Sequence, residues 1–160
     1  MASRIKELFL CTGNCCRSQM AETLLRQIGG DRFESLSAGS HPAGHIHALA
    51  ELAMERMGFA TAGQRSKSWD EFADAQVDVV ITLCDSAANE PCPIWPGAPL
   101  TVHWPHPDPA GLMGDEDERI AAAVRVAATL RRKIEKLVAL DFARTDRGEL
   151  RERIQDLRRD

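Results

Sequence analysis

No tyrosine occurs in the sequence, aromatic residues make up only 5% of it, and there is no surplus of positive charge. The formal net charge is −4, with acids and bases interspersed along most of the chain. A nucleic-acid binder usually carries a clustered basic face, so that class is set aside. No hydrophobic run approaches a membrane span, and the apolar stretch from Leu8 to Cys11 is too short for a signal-peptide core. These absences point to a cytoplasmic protein without a membrane partner. Repeats, low-complexity tracts and linkers are also missing. What remains is an ordinary globular composition of 160 residues, 44% apolar and 28% charged, suited to one domain with a single core.

Against that plain background five cysteines stand out, at positions 11, 15, 16, 84 and 92. An odd number does not make a simple paired framework, and structural disulfides are uncommon in the cytosol. The thiols therefore call for a metal, a nucleophile or redox chemistry. Their spacing lacks the paired Cys-x-x-Cys knuckles of a zinc site, so no structural metal is expected. His103 and His106 flank Trp104 and Pro105 and read as structural.

Periodicity predicts an alternation of strands and helices. Arg4 to Leu10 reads as a strand ending at Cys11, and Ser18 to Ile28 as a helix with an apolar face of Met20, Ala21, Leu24, Leu25 and Ile28. Glu34 to Ala38 is a short strand, and His47 to Met57 a second helix stopped by Gly58. Val77 to Leu83 is a β-branched run closing at Cys84, the pattern of a buried parallel strand. Leu100 to His103 is a fourth strand, and Asp115 to about Leu140 a long helix with acids at its start and Arg131 to Lys133 toward its end. The expected fold is α/β: a single-domain, doubly wound, four-stranded parallel sheet with helices on both faces. Ligands of such sheets bind at the carboxyl ends of the strands, where both Cys11 and Cys84 fall.

The segment Cys11-Thr12-Gly13-Asn14-Cys15-Cys16-Arg17-Ser18 joins a strand to a helix. Its amides can converge on an anion near the positive helix end. Gly13 permits a tight loop, and the planar fork of Arg17 suits two oxyanion oxygens. The same field should favour the Cys11 thiolate, with Ser18 placed to donate to the sulfur. A Cys followed six positions later by Arg is weak evidence alone. A buried cysteine beside a surface arginine remains open on these residues.

The stretch Phe-Leu-Cys-Thr-Gly-Asn-Cys-Cys-Arg-Ser-Gln-Met-Ala-Glu, from Phe9 to Glu22, resembles the signature of the low-molecular-weight protein tyrosine phosphatase superfamily. Within it the likeness is to the thioredoxin-coupled arsenate reductases. Ser37-Ala38-Gly39, Thr82-Leu83-Cys84, His103-Trp104 and Asp108-Pro109-Ala110 extend the match over roughly residues 1–140, leaving 141–160 as a charged tail, helical or mobile.

The resemblance implies that Cys11 is the nucleophile and that Arg17 clamps the oxyanion, helped by the loop residues Thr12, Gly13, Asn14, Cys15, Cys16 and Ser18. It implies Asp108 as a general acid, a role that Asp between two prolines would not suggest by itself, since Asp-Pro usually marks a turn. It also implies that Cys84 and then Cys92 resolve the intermediate, with thioredoxin as external reductant, arsenate as substrate, no bound cofactor and a monomer. The alternative is a phosphotyrosine phosphatase using Cys11, Arg17 and Asp108 with water. Phosphatases of this fold usually follow the acid with aromatic residues that grip the substrate ring. Here Asp108 precedes Pro-Ala-Gly and tyrosine is absent, which suits a small inorganic ion and favours the reductase. Weak phosphatase side activity is expected, because arsenate and phosphate share shape and charge. A binding-only oxyanion sensor would need neither Asp108 nor the relay.

Two features depart from the branch. Cys15 stands where it usually has Ser, and the spacing from Cys84 to Cys92 is one residue longer, a small change for loop closure. Some members of the superfamily bind potassium through positions matching Asn14, Glu22 and Ser37 plus an Asp. Lys67 stands in place of that Asp, so no potassium is expected.

Overall fold

The computed structural model describes residues 4–84 and 97–160, so Cys92 lies outside the described residues. Four strands form one parallel sheet: β1 (Ile5–Leu10), β2 (Phe33–Ala38), β3 (Val79–Thr82) and β4 (Leu100–His103), in the order β2-β1-β3-β4. The α-helices are α1 (Arg17–Gly29), α2 (Ala48–Arg56), α3 (Glu116–Val138) and α4 (Arg147–Asp156). The expected elements appear with ends moved by a residue or two, as helix and strand termini usually do.

The chain leaves β1 in one direction to make β2 and returns on the other side to make β3. That reversal opens a crevice between the carboxyl ends of β1 and β3. Leu10 is level with Ala38 on one side and Thr82 on the other, and Thr82 is level with His103. Pairing continues past the strand ends, with the amides of Cys11, Leu83 and Trp104 donating to Ala38, Leu10 and Thr82 at 3.3, 2.8 and 2.8 Å. This common register brings Cys11, Cys84 and the chain after Trp104 to one edge.

Side chains alternate across the sheet. Phe9, Val79 and Ile81 face the larger core, built with α1, α2, α3 and α4, while Leu8, Leu10 and Val80 face a smaller one closed by Trp69 and Phe72 of a 3-10 turn. The core does not end at Asp141. Leu150 and Ile154 of α4 join it, the fully buried Trp104 indole donates to the Ile154 carbonyl at 2.8 Å, and the Gln155 amide group pairs with the backbone of His103. That side-chain amide covers part of the β4 edge, which would otherwise present unpaired backbone groups. Among the described residues no helix is long and apolar enough to cross a membrane.

One residue breaks the pattern. Glu7 shares the inward face of Ile5 and Phe9, is fully buried, and neither carboxyl oxygen has a hydrogen-bond partner. Burial pushes its pKa well above the usual carboxylate range. The folded chain therefore keeps a proton that the unfolded chain releases near pH about 4.3, and stability falls as pH rises from there toward the folded value. Glu7→Leu should raise the unfolding free energy by about 1–3 kcal/mol, the cost of an unpaired buried polar group. Urea denaturation should show a gap over wild type that is larger at pH 8 than at pH 5. Parallel pH dependence in the two proteins would refute this account.

Candidate active site

The loop between β1 and α1 is held from outside and open within. Its carbonyls are satisfied by neighbouring chain: Thr12 accepts from the His41 amide, Gly13 from Ala43 and Cys15 from His47, at 2.9, 2.9 and 2.8 Å. The Asn14 carbonyl accepts from Gln19 Nε2 at 3.1 Å. Among the described residues, nothing accepts from the amides of Gly13, Asn14, Cys15 or Cys16. The helix behind them repeats this feature. Side chains of His47, Asp115 and Asp146 cap α2, α3 and α4, whereas Cys16, the N-cap residue of α1, makes no side-chain cap. Free amides at a helix N-terminus form a place for an anion.

Asn14 and Gly39 impose the shape. Asn14 takes a left-handed conformation with φ 45°, tolerable for Asn. Its Nδ2 donates to Ser18 Oγ at 2.8 Å and Ser37 Oγ at 3.0 Å, and its Oδ1 accepts from the Lys67 amide at 2.9 Å. Gly39 packs so closely beneath the loop that a Cβ there would lie 2.5 Å from Thr12 O and 2.6 Å from Cys11 O. Only glycine fits.

The side chains singled out in the sequence converge on this cradle. Cys11 Sγ lies 2.9 Å from Ser18 Oγ. Ser18 accepts from Asn14, which leaves its hydroxyl proton for the sulfur. Cys84 packs against Cys11, both nearly buried at 5% and 3% exposure, and its Sγ accepts from the Thr12 amide at 3.3 Å. Arg17 donates to the His106 carbonyl at 2.9 Å, and its other terminal nitrogen lies 3.7 Å from Asp108 Oδ2. Asp108 is exposed and its Oδ1 caps the following turn by accepting from Ala110 N at 3.0 Å. The two remaining loop thiols are held in their protonated form. Burial first, then Asp108 and the neighbouring thiols, push Cys16 up to about 12, and burial followed by Cys11 and Asp108 raises Cys15.

The structure thus places Cys11, Arg17, Ser18, Cys84 and Asp108 around one loop, and Cys92 falls outside the described residues. Sequence reasoning missed Gln19, whose amide nitrogen also reaches Asn14 Oδ1 at 3.1 Å and Arg65 O at 2.9 Å. Its only sequence cue is a polar residue on an otherwise buried stretch of α1. No group of three or more His, Cys, Asp or Glu residues suited to a metal ion occurs among the described residues.

Residues 6–143 match the low molecular weight phosphotyrosine protein phosphatase family, and the chain belongs to it. Within that class it is similar to the arsenate reductase of Bacillus subtilis (strain 168), 41% identical over 118 residues that span 74% of this chain and 84% of that one. A solved arsenate reductase in the phosphate binding state superposes with a TM-score of 0.63 at 27% identity, covering 84% of this chain and 97% of that one. The thioredoxin-dependent arsenate reductase of Corynebacterium glutamicum gives 0.57 at 27% identity, covering 85% of this chain and 65% of its own.

Beneath the cradle lies an internal cation. Lys67 Nζ is 3.3 Å from Glu22 Oε1, 3.5 Å from Ser37 Oγ and 2.9 Å from Arg65 O. Burial lowers the Lys67 pKa while Glu22 opposes the shift. Of the positions matched to a potassium site, Glu22 and Ser37 are engaged by this ammonium and Asn14 Oδ1 accepts from the Lys67 amide and Gln19, so the residues present do not fit the ion. Lys67→Ala should lower the melting temperature and create a preference for KCl over NaCl that wild type lacks. Identical salt responses in both proteins would show that Lys67 does not stand in for a cation.

Proposed function

We propose that the chain reduces arsenate to arsenite by a three-cysteine relay regenerated by thioredoxin. The observation that carries this reading is the second thiol in the anion cradle. Cys84 packs on Cys11 and takes a hydrogen bond from the loop's own Thr12 amide. A phosphatase resolves its intermediate with water and needs no thiol there. The names of the relatives support the same substrate, and one of them is described as thioredoxin-dependent.

The loop amides and Arg17 hold arsenate while the Cys11 thiolate attacks arsenic. An S–As bond forms and an oxygen departs as water, its proton drawn from Asp108. Cys84 as thiolate then attacks Cys11 Sγ. The new S–S bond forms as the S–As bond breaks, its electron pair passes to arsenic, and arsenite leaves. The two electrons come from Cys11 and Cys84, which end as a disulfide. Cys92 attacks Cys84, releases the Cys11 thiolate and carries the disulfide outward, where the thioredoxin dithiol reduces it by exchange. An aryl phosphate entering the same cradle would be hydrolysed slowly.

Arsenate-dependent NADPH oxidation with thioredoxin and thioredoxin reductase tests the relay. Wild type should turn over repeatedly, and Cys92→Ser should stop after about one turnover, as expected when the nucleophile is not regenerated. Absence of arsenate-dependent oxidation alongside brisk hydrolysis of an aryl phosphate would replace this reading with the phosphatase.

A further inference from the structure

Lys133, on α3, is a buried cation that the chemistry above leaves unused. The residue is 2% exposed and forms no ion pair among the described residues. Its Nζ lies 3.1 Å from Nε2 of His106, which is itself buried. The imidazole tautomer follows from the other nitrogen. His106 Nδ1 is 2.8 Å from the Trp104 carbonyl, an oxygen that can only accept, so Nδ1 carries the proton. In the neutral ring Nε2 must then accept, and Lys133 donates. Burial, followed by the Lys133 charge, pushes the imidazole down to about 4, which keeps the ring neutral.

The backbone of His106 links the parts of the catalytic site. Its amide donates to Leu83 O at 3.0 Å, one residue before Cys84, and its carbonyl accepts from Arg17 at 2.9 Å. Asp108 follows two residues later. His106 is therefore fixed by four hydrogen bonds, to the strand bearing the second thiol, to the anion-clamping arginine, to the start of its own loop and to α3. Two of these anchors lie at the edge of the sheet or in the loop itself, and Arg17 stands at the first turn of α1. Lys133 is the tie to the long helix α3.

We propose that Lys133, acting through His106, is a positioning residue that holds Arg17 and the Asp108 loop in register with the Cys11–Cys84 pair. The Arg17 guanidinium can present two N–H groups to an oxyanion only if its rotation is set from behind, and the His106 carbonyl sets it. Loss of the Lys133 donor leaves Nε2 as a buried acceptor without a partner, which favours ring and loop positions closer to water. A shift of about 1 Å in a catalytic array can cost about 100-fold in rate. A cavity of about 440 Å³, lined by His106, Asp108, Arg125 and Lys133 among others, adjoins the pair and leaves room for a larger donor at position 133.

The inference rests on the oxyanion-site reading but not on arsenate reduction, so two assays are paired. One is arsenate-dependent turnover. The other is protection of Cys11 from iodoacetamide by inorganic phosphate, which reads anion binding alone and identifies Cys11 by mass spectrometry of the alkylated peptide. Lys133→Met should remain folded by circular dichroism. It should weaken phosphate protection about fivefold or more and lower kcat/KM for arsenate about tenfold or more, a range set by modest misplacement of catalytic groups. Lys133→Arg, which retains a donor, should recover most of both losses, a rescue that lost packing alone would not give. If the methionine variant does not fold, Lys133→Gln, too short to reach Nε2, carries the same expectation. A folded Lys133→Met or Lys133→Gln protein with protection within twofold of wild type overturns the proposal. An arginine variant as impaired as the methionine variant overturns it too. Wild type that is protected by phosphate but reduces no arsenate would reject the reductase assignment and leave the protection test of Lys133 intact.

Discussion

A backbone cradle for an oxyanion must leave several amides unpaired at its centre, and a folded chain tolerates that only when every other group of the loop is satisfied from outside. This constraint organises the first half of the protein. The segment after β2 doubles back so that His41, Ala43 and His47 donate to loop carbonyls, and Gly39 lets that segment approach without a side chain between. Asn14 holds the turn by bonding in four directions at once, to Ser18, Ser37, Lys67 and Gln19. The α1 N-terminus carries no side-chain cap, which leaves its amides available to an anion. A more stable loop, with its amides turned to its own backbone, would bind nothing.

Charge is handled by the same economy of position. Free amides at the cradle suit an anion, yet a carboxylate, Glu22, lies on the helix just beyond it and is nearly buried. Lys67 neutralises Glu22 from within the chain and uses its amide to fix Asn14. A buried pair of this kind adds little net stability, since desolvation offsets the attraction. Its value lies in holding Asn14, Ser37 and α1 in one arrangement.

Much of this architecture is legible in the amino-acid sequence. The four strands, the strand–loop–helix unit around Cys11 and the long α3 follow from periodicity and breakers, because each is a local pattern of apolar spacing. The placement of Cys84 beside Cys11 follows once both sit at strand ends of a parallel sheet. What stays hidden is non-local or faint. In α4 only Leu150 and Ile154 are buried, a single pair four residues apart in a highly charged segment, so its role in covering β4 leaves almost no periodic trace. The clearance above Gly39 is a property of a loop far away in sequence. The tautomer of His106 depends on a carbonyl and a lysine from two different elements, and no local spacing encodes that meeting.

Three thiols crowd the loop, and the proposed relay works only if one of them reacts. The fold holds two of them back by burial and by neighbouring charge. Cys16 is the N-cap residue of α1 but is buried, next to Cys15 and within reach of the Asp108 charge, so it resists ionisation. Cys15 is more open, yet burial and the neighbouring Cys11 and Asp108 still raise its pKa. Cys11 alone has a hydroxyl directed at its sulfur by Asn14, and the thiol it packs against is Cys84. Thiolate fraction governs attack on arsenic and on a disulfide alike. The extra cysteine of this chain is therefore restrained by burial and by its neighbours Cys11 and Asp108, which is how the adjacent pair Cys15-Cys16 is compatible with the proposed relay.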